Sequence, residues 1–482
     1  MANRTPVKLI ELSGESWMGG ISLQPTLPVG GIFKTANNFD PFNKIGVFQP
    51  STRATQQGSS TVTAGGYFNI GFEESGLSYF YSFGNNTKVY KVSTFSPFGD
   101  VDDVSAQISD ITVIRGATKF KDRAIYASNT SIKANTIPLA IGSQVGLLSV
   151  TSGGVHIMKV APDRNLYATN INSVARITSV SGTSGNSAAY LTFESDVVLR
   201  DLESDGEYLV IAGDTNELVP AGTNTNTRCF VAFWNMKSQD LTRIWEFEDF
   251  TIYGIKFTGE EIVVFGRDNI YTCSVNSSIR PLMPMRGNTN LTFAVMYAGG
   301  IVRRSGSVLF GMGSNVYAYG RPSHDLKKIF YHPYSIDSGG IISLFSDGNS
   351  VFAMTDDNKL WDFSSGADVT SSILTLCDVD FKSKYEFAYA KVNLTAKLAS
   401  GDSVLLQILT GDGDIILTEQ EFTFATHGAV STHIFPPKTT AGAGALIFED
   451  ATSFRLTSTN GARVRRVEIW GYPVDPAQDS SY

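Results

Sequence analysis

Short apolar runs and polar turns alternate along the middle of the chain, and they recur as one phrase. Each copy is an apolar run, a turn rich in Asn, Asp and Gly, and a second short run that opens on Ile, Val or Leu. Successive copies begin 41 to 53 residues apart, which is the length of one four-stranded propeller blade. The seven copies lie around Phe80, Ile125, Leu166, Leu209, Ile262, Val308 and Val351.

Each copy predicts the central hairpin of a small antiparallel sheet. In GSVLFGMGSNVYAYG, residues 308–310 and 316–319 are apolar and favour strands, whereas residues 311–315 form the turn. Asn, Asp and Gly suit such turns because they accept a positive φ or bond their own backbone. A single hairpin is only marginally stable, so each must bury its faces against neighbours. The pattern therefore predicts a seven-bladed β-propeller, with an inserted polar loop in the long step after Leu209.

The pattern divides the chain into three regions of an all-β protein. Residues 1–66 are rich in Gly, Pro, Asn and Gln but carry many large apolar side chains, which predicts an extended N-terminal arm that covers a surface. That surface can belong to the chain's own propeller or to a neighbouring subunit, and the sequence leaves both open. Residues 67–375 form the predicted β-propeller. Residues 376–482 alternate apolar and polar positions, which predicts a jelly-roll-like β-sandwich.

Charge and cysteine content narrow the class of protein. The chain has 482 residues and a formal net charge of −8, which argues against binding nucleic acid through its phosphates. No stretch of about 18 apolar residues predicts a transmembrane helix, and the first residues lack the apolar core of a secretory signal. Cys229 and Cys273 lie in apolar β runs and, with Cys377, make an odd number, so we expect free thiols and synthesis in a reducing cytoplasm.

No catalytic motif is present in the sequence, so we expect no enzyme activity, no cofactor and no metal site. There is no H-E-x-x-H, C-x-x-C, G-x-S-x-G, P-loop or Rossmann fingerprint. Two acidic turns could hold calcium, but neither has the spacing of an EF-hand loop, and plain hairpin turns are favoured. The two turns are Asp356 to Asn358 and Asp412 with Asp414. None of the histidines lies in an H-E-x-x-H motif; they are His156, His324, His332, His427 and His433.

The opening segment resembles a known family. It reads LSGESWMGGISLQPTLPVGG and then NNFDPFNKIGVFQPS, and its phrase from Gly19 to Pro25 is similar to the G-G-I-S-x-Q-P start of the tail nozzle (tail tubular B) proteins of short-tailed bacteriophages. The resemblance covers about 50 residues of the 482, and the chain is shorter than a typical nozzle protein. It implies a strand-rich lead on an all-β body, a ring-like homo-oligomer such as a hexamer, and location in the virion tail.

These observations together predict a structural protein of a tailed-phage virion, made in the host cytoplasm, at a nozzle, ring, tip or fibre position. Its partners would be further copies of itself, other tail proteins and a host-surface glycan. The propeller would be the rigid body and the arm the clamp between subunits. The candidate assembly contacts are Trp17, Ile21, Pro25, Phe33, Phe39, Phe42 and Phe48.

Two other classes remain open at this stage. One is a carbohydrate-active or carbohydrate-binding protein with a carboxylate pair on the propeller. Its sandwich aromatics could stack on sugar rings, although packing in the core is favoured for them. The other is a cellular scaffold propeller that docks peptides. The aromatics in question are Tyr385, Phe387, Tyr389, Trp470 and Tyr472.

Overall fold

The computed structural model describes most of the chain, and all structural statements below concern that part. The described residues are 5–13, 17, 33–41, 48, 55–56, 66–75, 77–84, 88–93, 101–108, 113–215, 227–284, 300–304, 306–321, 325–326, 328–346, 351–363, 371–376, 384–409, 415–436, 447–448 and 453–474.

Seven antiparallel sheets of four strands follow one another along the described chain, which confirms the propeller predicted from the repeats. The first three sheets are β4 to β7, β8 to β11 and β12 to β15. Their strands are β4 (Gly66–Glu74), β5 (Leu77–Gly84), β6 (Val89–Ser93), β7 (Val101–Asp103), β8 (Gly116–Phe120), β9 (Arg123–Ala127), β10 (Ser131–Thr136), β11 (Val145–Ser149), β12 (Met158–Val160), β13 (Leu166–Asn170), β14 (Ser173–Ile177) and β15 (Ser187–Thr192).

The next three sheets are β16 to β19, β20 to β23 and β24 to β27, and the seventh joins β28 to β30 with β3. A short 3-10 helix spans Ser105–Gln107. The strands are β16 (Val197–Ser204), β17 (Leu209–Thr215), β18 (Thr227–Trp234), β19 (Arg243–Asp249), β20 (Ile252–Phe257), β21 (Ile262–Gly266), β22 (Asn269–Ser274), β23 (Ser277–Pro284), β24 (Ile301–Arg304), β25 (Ser307–Met312), β26 (Asn315–Gly320), β27 (Ile329–Ser335), β28 (Ile341–Ser346), β29 (Val351–Thr355), β30 (Leu360–Asp362) and β3 (Thr55–Gln56).

The repeated phrase corresponds to the second and third strands of each sheet. Phe80 lies in β5, which pairs with β6, and Val351 lies in β29, which pairs with β30. The turn between β25 and β26 contains Gly313 at φ +58°, a conformation that glycine adopts without strain. The 53-residue step carries its insertion between β17 and β18, at residues that lie outside the described part.

The first strands of the seven blades form a closed ring. β4 adjoins β8, β8 adjoins β12, and the series continues through β16, β20, β24 and β28 back to β4. The last blade takes its fourth strand from a segment that precedes the first blade: Thr55 pairs with Asp362 and Gln56 with Trp361. The ring is thus closed both by its inner strands and by a chain crossover at one blade.

Apolar side chains fill the spaces between neighbouring blades. Between the last blade and the first, Phe80 packs on Phe345 with ring centroids 4.4 Å apart, beside buried Phe352. Between the fifth and sixth blades, Phe265 packs on Phe310 at 5.0 Å. Each large apolar side chain buried in this way stabilises the ring by roughly 1.5–3 kcal/mol.

A second compact unit comprises Met1–Ala54, Val316–Ser335 and Ser365–Tyr482, and residues Thr55–Asn315 and Ile336–Ser364 form the other. The stretch Val316–Ser335 contains β27 and all of β26 except Asn315, which pair within the sixth sheet. The second unit contains a sandwich of two five-stranded sheets, β1-β38-β32-β35 with β36 beside β32, and β2-β31-β37-β33-β34. The elements are β1 (Val7–Ser13), β2 (Phe33–Asn37), β31 (Ser371–Leu376), β32 (Tyr385–Leu394), β33 (Ser403–Leu409), β34 (Ile415–Thr423), α1 (Phe424–His427), β35 (Thr432–Phe435), β36 (Ile447–Phe448), β37 (Ser453–Thr459) and β38 (Val464–Pro473).

The described parts of the N-terminal arm are built into this sandwich. β1 pairs with β38 and β2 pairs with β31. Trp17 is fully buried, donates its indole N–H to the carbonyl of Arg465 at 3.1 Å and stacks on Phe48 at 5.8 Å. Phe48 exchanges two backbone hydrogen bonds of 2.8 Å with Val464, and Phe39 packs against its ring edge.

The observed division differs from the predicted boundaries at residues 66 and 375. Residues 55 and 56, expected in the arm, complete the seventh blade, and β31, expected to end the propeller at residue 375, lies between β2 and β37 in the sandwich. The physical reason is that strands pair with segments hundreds of residues away in the sequence. A repeat interval along the chain carries no information about such pairing.

Truncating Trp17 tests whether the arm belongs to the sandwich core. We expect Trp17→Ala to lower the free energy of unfolding of this unit by about 3–5 kcal/mol, because the substitution leaves a cavity and an unpaired carbonyl. The control Val7→Ala, at a 40% exposed position of β1, should cost less than about 0.5 kcal/mol. Denaturant unfolding measures both, and equal losses would contradict the packing described.

Candidate functional site

The inner strands of all seven blades surround one cavity at the centre of the ring. Its volume is about 310 Å³, the size of a small-ligand site. Apolar residues such as Phe68 and Leu344 form part of the wall, and four residues with ionisable side chains, His156, Lys159, Asp201 and Lys256, lie on the third, fourth and fifth blades. This cavity, the central channel, is the candidate functional site.

A close approach of the second and third blades sets one side of the channel. The backbone N–H of His156 donates to the carbonyl of Arg115 at 2.8 Å. A Cβ on Gly116 would lie 2.0 Å from the carbonyl oxygen of His156, so only glycine fits there. The His156 ring is fully buried, and its Nδ1 lies 2.8 Å from the carbonyl of Thr169. Burial lowers the pKa of His156, which favours the neutral ring.

Glu203 joins three consecutive blades through ion pairs. It lies in β16 with its side chain 5% exposed, and its carboxylate contacts the ammonium of Lys159 in the preceding blade. Its other oxygen lies 3.3 Å from Nζ of Lys256, in β20 of the following blade. Burial alone would raise the pKa of Glu203, but Lys256 and Lys159 hold it below the ordinary value. Glu203 therefore stays ionised and neutralises part of the charge on both lysines.

Asp201 lies two residues away on the same strand and has a different environment. Its two oxygens accept backbone N–H bonds of 2.8 Å from Leu202 and from Ile255 of the next blade. Burial raises the pKa of Asp201 to about 6, against a lowering by Lys256. Lys256 itself has a pKa above its ordinary value, because Glu203 and then Asp201 outweigh the effect of burial.

A third buried carboxylate, outside the channel, also joins the fourth and fifth blades. Asp214 in β17 receives two parallel hydrogen bonds from Arg200, at 2.8 and 2.9 Å. It also accepts from the hydroxyl of Thr251 at 2.7 Å, at the entry to β20. A bidentate arginine pair of this kind fixes geometry as well as charge, so Asp214 positions the blades.

The residues of the channel are better arranged to bind a charged ligand than to transfer protons. Asp201 and Glu203 have pKa values displaced in opposite directions, a pattern found in catalytic carboxylate pairs. However, both oxygens of Asp201 are taken by backbone donors, and Glu203 is shared by two lysines and by the N–H of Ser204. The lysine ammoniums are the charged groups best placed to meet a ligand in the cavity.

The predicted assembly contacts fall into three groups. Trp17, Phe39 and Phe48 are buried in the sandwich core of their own chain. Phe33 is the first residue of β2. Ile21, Pro25 and Phe42 lie outside the described residues. Because the structure contains one chain, a role of these residues between subunits stays a prediction.

Several other residues singled out in the sequence are either buried or paired within the chain, and the rest lie outside the described residues. Cys229 and Cys273 are buried free thiols, as predicted, and burial raises the pKa of Cys273 to about 12. Asp357 lies in a turn, where it pairs with Lys359 at 2.8 Å. His332 is buried. Cys377, His324, Asp412 and Asp414 lie outside the described part of the chain.

The sandwich contains the other noted histidines and aromatics. His427 and His433 touch, with ring centroids 4.2 Å apart. Phe387 is buried in the core, as favoured from the sequence, whereas half-buried Tyr389 and Trp470 stack on each other at 5.6 Å. Among the described residues, no group of three or more His, Cys, Asp or Glu is arranged to hold a metal ion, and no helix has the length and apolarity to cross a membrane.

Sequence reasoning missed the charged residues Lys159, Asp201 and Lys256 of the channel wall and Glu203 behind it, although a signal for them exists. Lys159 lies in β12, Asp201 and Glu203 in β16, and Lys256 in β20, so each charge interrupts the first strand of a blade. The steps from Lys159 to Glu203 and from Glu203 to Lys256 are 44 and 53 residues, close to the interval of the repeat. Superposing the repeats would have placed these charges on neighbouring inner strands, but not paired them.

Comparison with known proteins adds little to this picture. No known family model matches the chain, and no curated protein matches it. A catalytically inactive virginiamycin B lyase from Staphylococcus aureus, crystallised with quinupristin, is 13% identical over 64% of this chain and 98% of its own, with a TM-score of 0.43.

Two further solved structures are similar to the same degree. A chain of the mitotic checkpoint complex is 14% identical over 65% of this chain and 94% of its own, with a TM-score of 0.40. Raptor from Chaetomium thermophilum is 11% identical over 66% of this chain and 30% of its own, with a TM-score of 0.43. Likenesses this distant carry no argument about activity, and the fold is established by the sheets themselves.

Removing the charge of Glu203 tests its place between the blades. We expect Glu203→Gln to lower the free energy of unfolding by about 3–5 kcal/mol, because Lys256, whose side chain is only 24% exposed, then loses its main counter-charge. Glu246→Gln, in a surface pair with Arg228 whose side chains are 48% and 63% exposed, is the matched control and should cost less than about 1 kcal/mol. Similar losses in denaturant unfolding would contradict the bridging role.

The raised pKa of Asp201 predicts a specific pH dependence. The folded chain holds this proton more tightly than the ordinary pKa of 3.8 allows, so the associated stability is full below about pH 4 and is lost as the pH rises through about 6. Relative to Asp201→Asn, the wild type should lose about 3 kcal/mol of unfolding free energy across this window. Asp240→Asn, on an exposed turn, is the control. A wild-type-minus-Asp201→Asn difference that does not change with pH would contradict the assignment.

Proposed function

We propose that this protein is a non-enzymatic structural component of a tailed-phage virion tail, a nozzle, ring or tip protein that assembles with copies of itself and with other tail proteins. The observation that carries the proposal is the phrase from Gly19 to Pro25, which is similar to the start of the tail nozzle family. The fold supports it: flanking residues Trp17 and Phe48 lie in the core of the sandwich, so the segment between them is anchored at both ends.

The distribution of buried charge also supports a structural role. Glu203 and Asp214 are each engaged by cations of the same chain, and Asp201 is held by backbone donors. Side chains held by partners in the same chain make the propeller rigid and are not available to bind a substrate. A rigid propeller with an anchored arm suits a subunit that must keep its shape under mechanical load in a ring.

Self-assembly is the property that tests this proposal. We expect the purified protein to form rings, such as hexamers, visible by light scattering and negative-stain images. The double substitution Ile21→Asp and Phe42→Asp should shift the rings to monomers, because a charge at an apolar contact costs several kcal/mol on association. Ile141→Asp, at a 78% exposed position, should leave the rings unchanged.

Two results would contradict the proposed role in a tail ring. A wild-type protein that stays monomeric at micromolar concentration, with no change caused by the double substitution, would remove the tail-ring assignment. Labelled antibody against the chain that fails to bind tails of intact virions would remove it as well.

A further inference from the structure

The lysines of the central channel have hydrogen-bond donors to spare. An ammonium has three donors, and the only protein acceptor that contacts Lys159 or Lys256 within the described residues is the carboxylate of Glu203. Both lysines line the cavity, with side chains 34% and 24% exposed, whereas Glu203 is nearly closed off and does not line it. The remaining N–H groups of Lys159 and Lys256 can therefore donate to acceptor atoms of a ligand in the cavity.

The acidic residue of the cavity wall does not meet this need. Asp201 already accepts backbone hydrogen bonds on both oxygens, at 2.8 Å each. Because burial raises its pKa to about 6, it is largely neutral in mildly acid solution. The charges that then face the cavity are the two ammoniums, and only one carboxylate, Glu203, lies behind them.

The geometry points to a binding site for one small oxyanion in the central channel, between Lys159 and Lys256. We propose that its ligand is a tetrahedral or planar anion of the size of sulfate, phosphate or a short carboxylate. A volume of about 310 Å³ holds such an ion together with part of its hydration. Asn69, Thr118 and Ser346 also line the cavity and add polar groups that can share it. The site goes beyond the structural role proposed above and does not depend on it.

The charged and titratable groups around Asp201 set how binding varies with pH. Lys256 lies on the following blade, Lys159 and His156 on the preceding one, and Glu203 on the same strand. Lys256 and Glu203 hold their charges, and burial lowers the pKa of His156, so we assign the change expected as the pH falls through about 6 to protonation of Asp201. Anion binding should strengthen as the pH falls through about 6 and should be accompanied by proton uptake.

Calorimetric titration with sulfate tests the site, because the charge of sulfate is constant over this range. We expect wild-type affinity to rise about tenfold or more from about pH 8 to about pH 5, since one adjacent negative charge is removed. Lys256→Met and Lys159→Met should each weaken binding by about tenfold or more. Lys237→Met, on an exposed turn, should bind as the wild type does. Formate in place of sulfate shows whether the site accepts carboxylates.

The variants are checked for folding by their thermal melts, and two separate lysine variants keep the test informative if one of them unfolds. No binding of sulfate or formate by the wild type at about pH 5 would overturn the proposal and leave ordered water as the content of the channel. Binding that both Lys→Met variants retain would overturn it too. Neither result bears on self-assembly, so failure here is distinct from failure of the proposed tail role.

Discussion

Within the described part of the chain, the inner strands of neighbouring blades share no continuous hydrogen-bond ladder, and the architecture depends on how this gap is bridged. Each blade is a separate sheet. Backbone bonds between blades occur singly, as between His156 and Arg115 or between Leu199 and Ile171. Side chains must therefore hold the ring, and apolar clusters between blades do most of this work because apolar burial is the largest favourable term in folding.

Buried carboxylates add direction to this apolar packing. Hydrophobic contact is non-directional, whereas Glu203 can contact both Lys159 and Lys256 only if three blades keep one relative position. Asp201 and Asp214 impose the same condition between the fourth and fifth blades, through Ile255 and Thr251. Such groups bring little net stability once their desolvation is counted, but each becomes costly when its partner is lost. They select one geometry for the ring, and they leave two lysines facing its channel.

The sequence allowed the ring to be predicted because its signal is local and repeated. Apolar runs separated by Asn, Asp and Gly turns encode hairpins, and the regular interval encodes their number. The interval could not encode that Thr55–Gln56 completes the seventh blade, or that Ser371–Leu376 joins the sandwich, because both follow from pairing with distant strands. Trp17 and Phe48 were recognised as needing a surface, but their apolar character did not reveal which one. The charged residues of the channel can be read from the sequence. Their ion pairs could not be predicted, because they form only when the blades come together in the ring.

Closure of the ring is the central claim, and hydrogen exchange of β3 tests the crossover that joins the N-terminal segment to the last blade. Thr55–Gln56 is a two-residue strand that gains protection only by pairing with Leu360–Asp362 in the last blade. Mass spectrometry of peptides that contain β3 and β30 should find them protected to a similar degree and opening together. Exchange of the β3 peptide at the rate of an unstructured chain, beside a protected β30, would mean that the crossover does not close the seventh blade and would contradict the account.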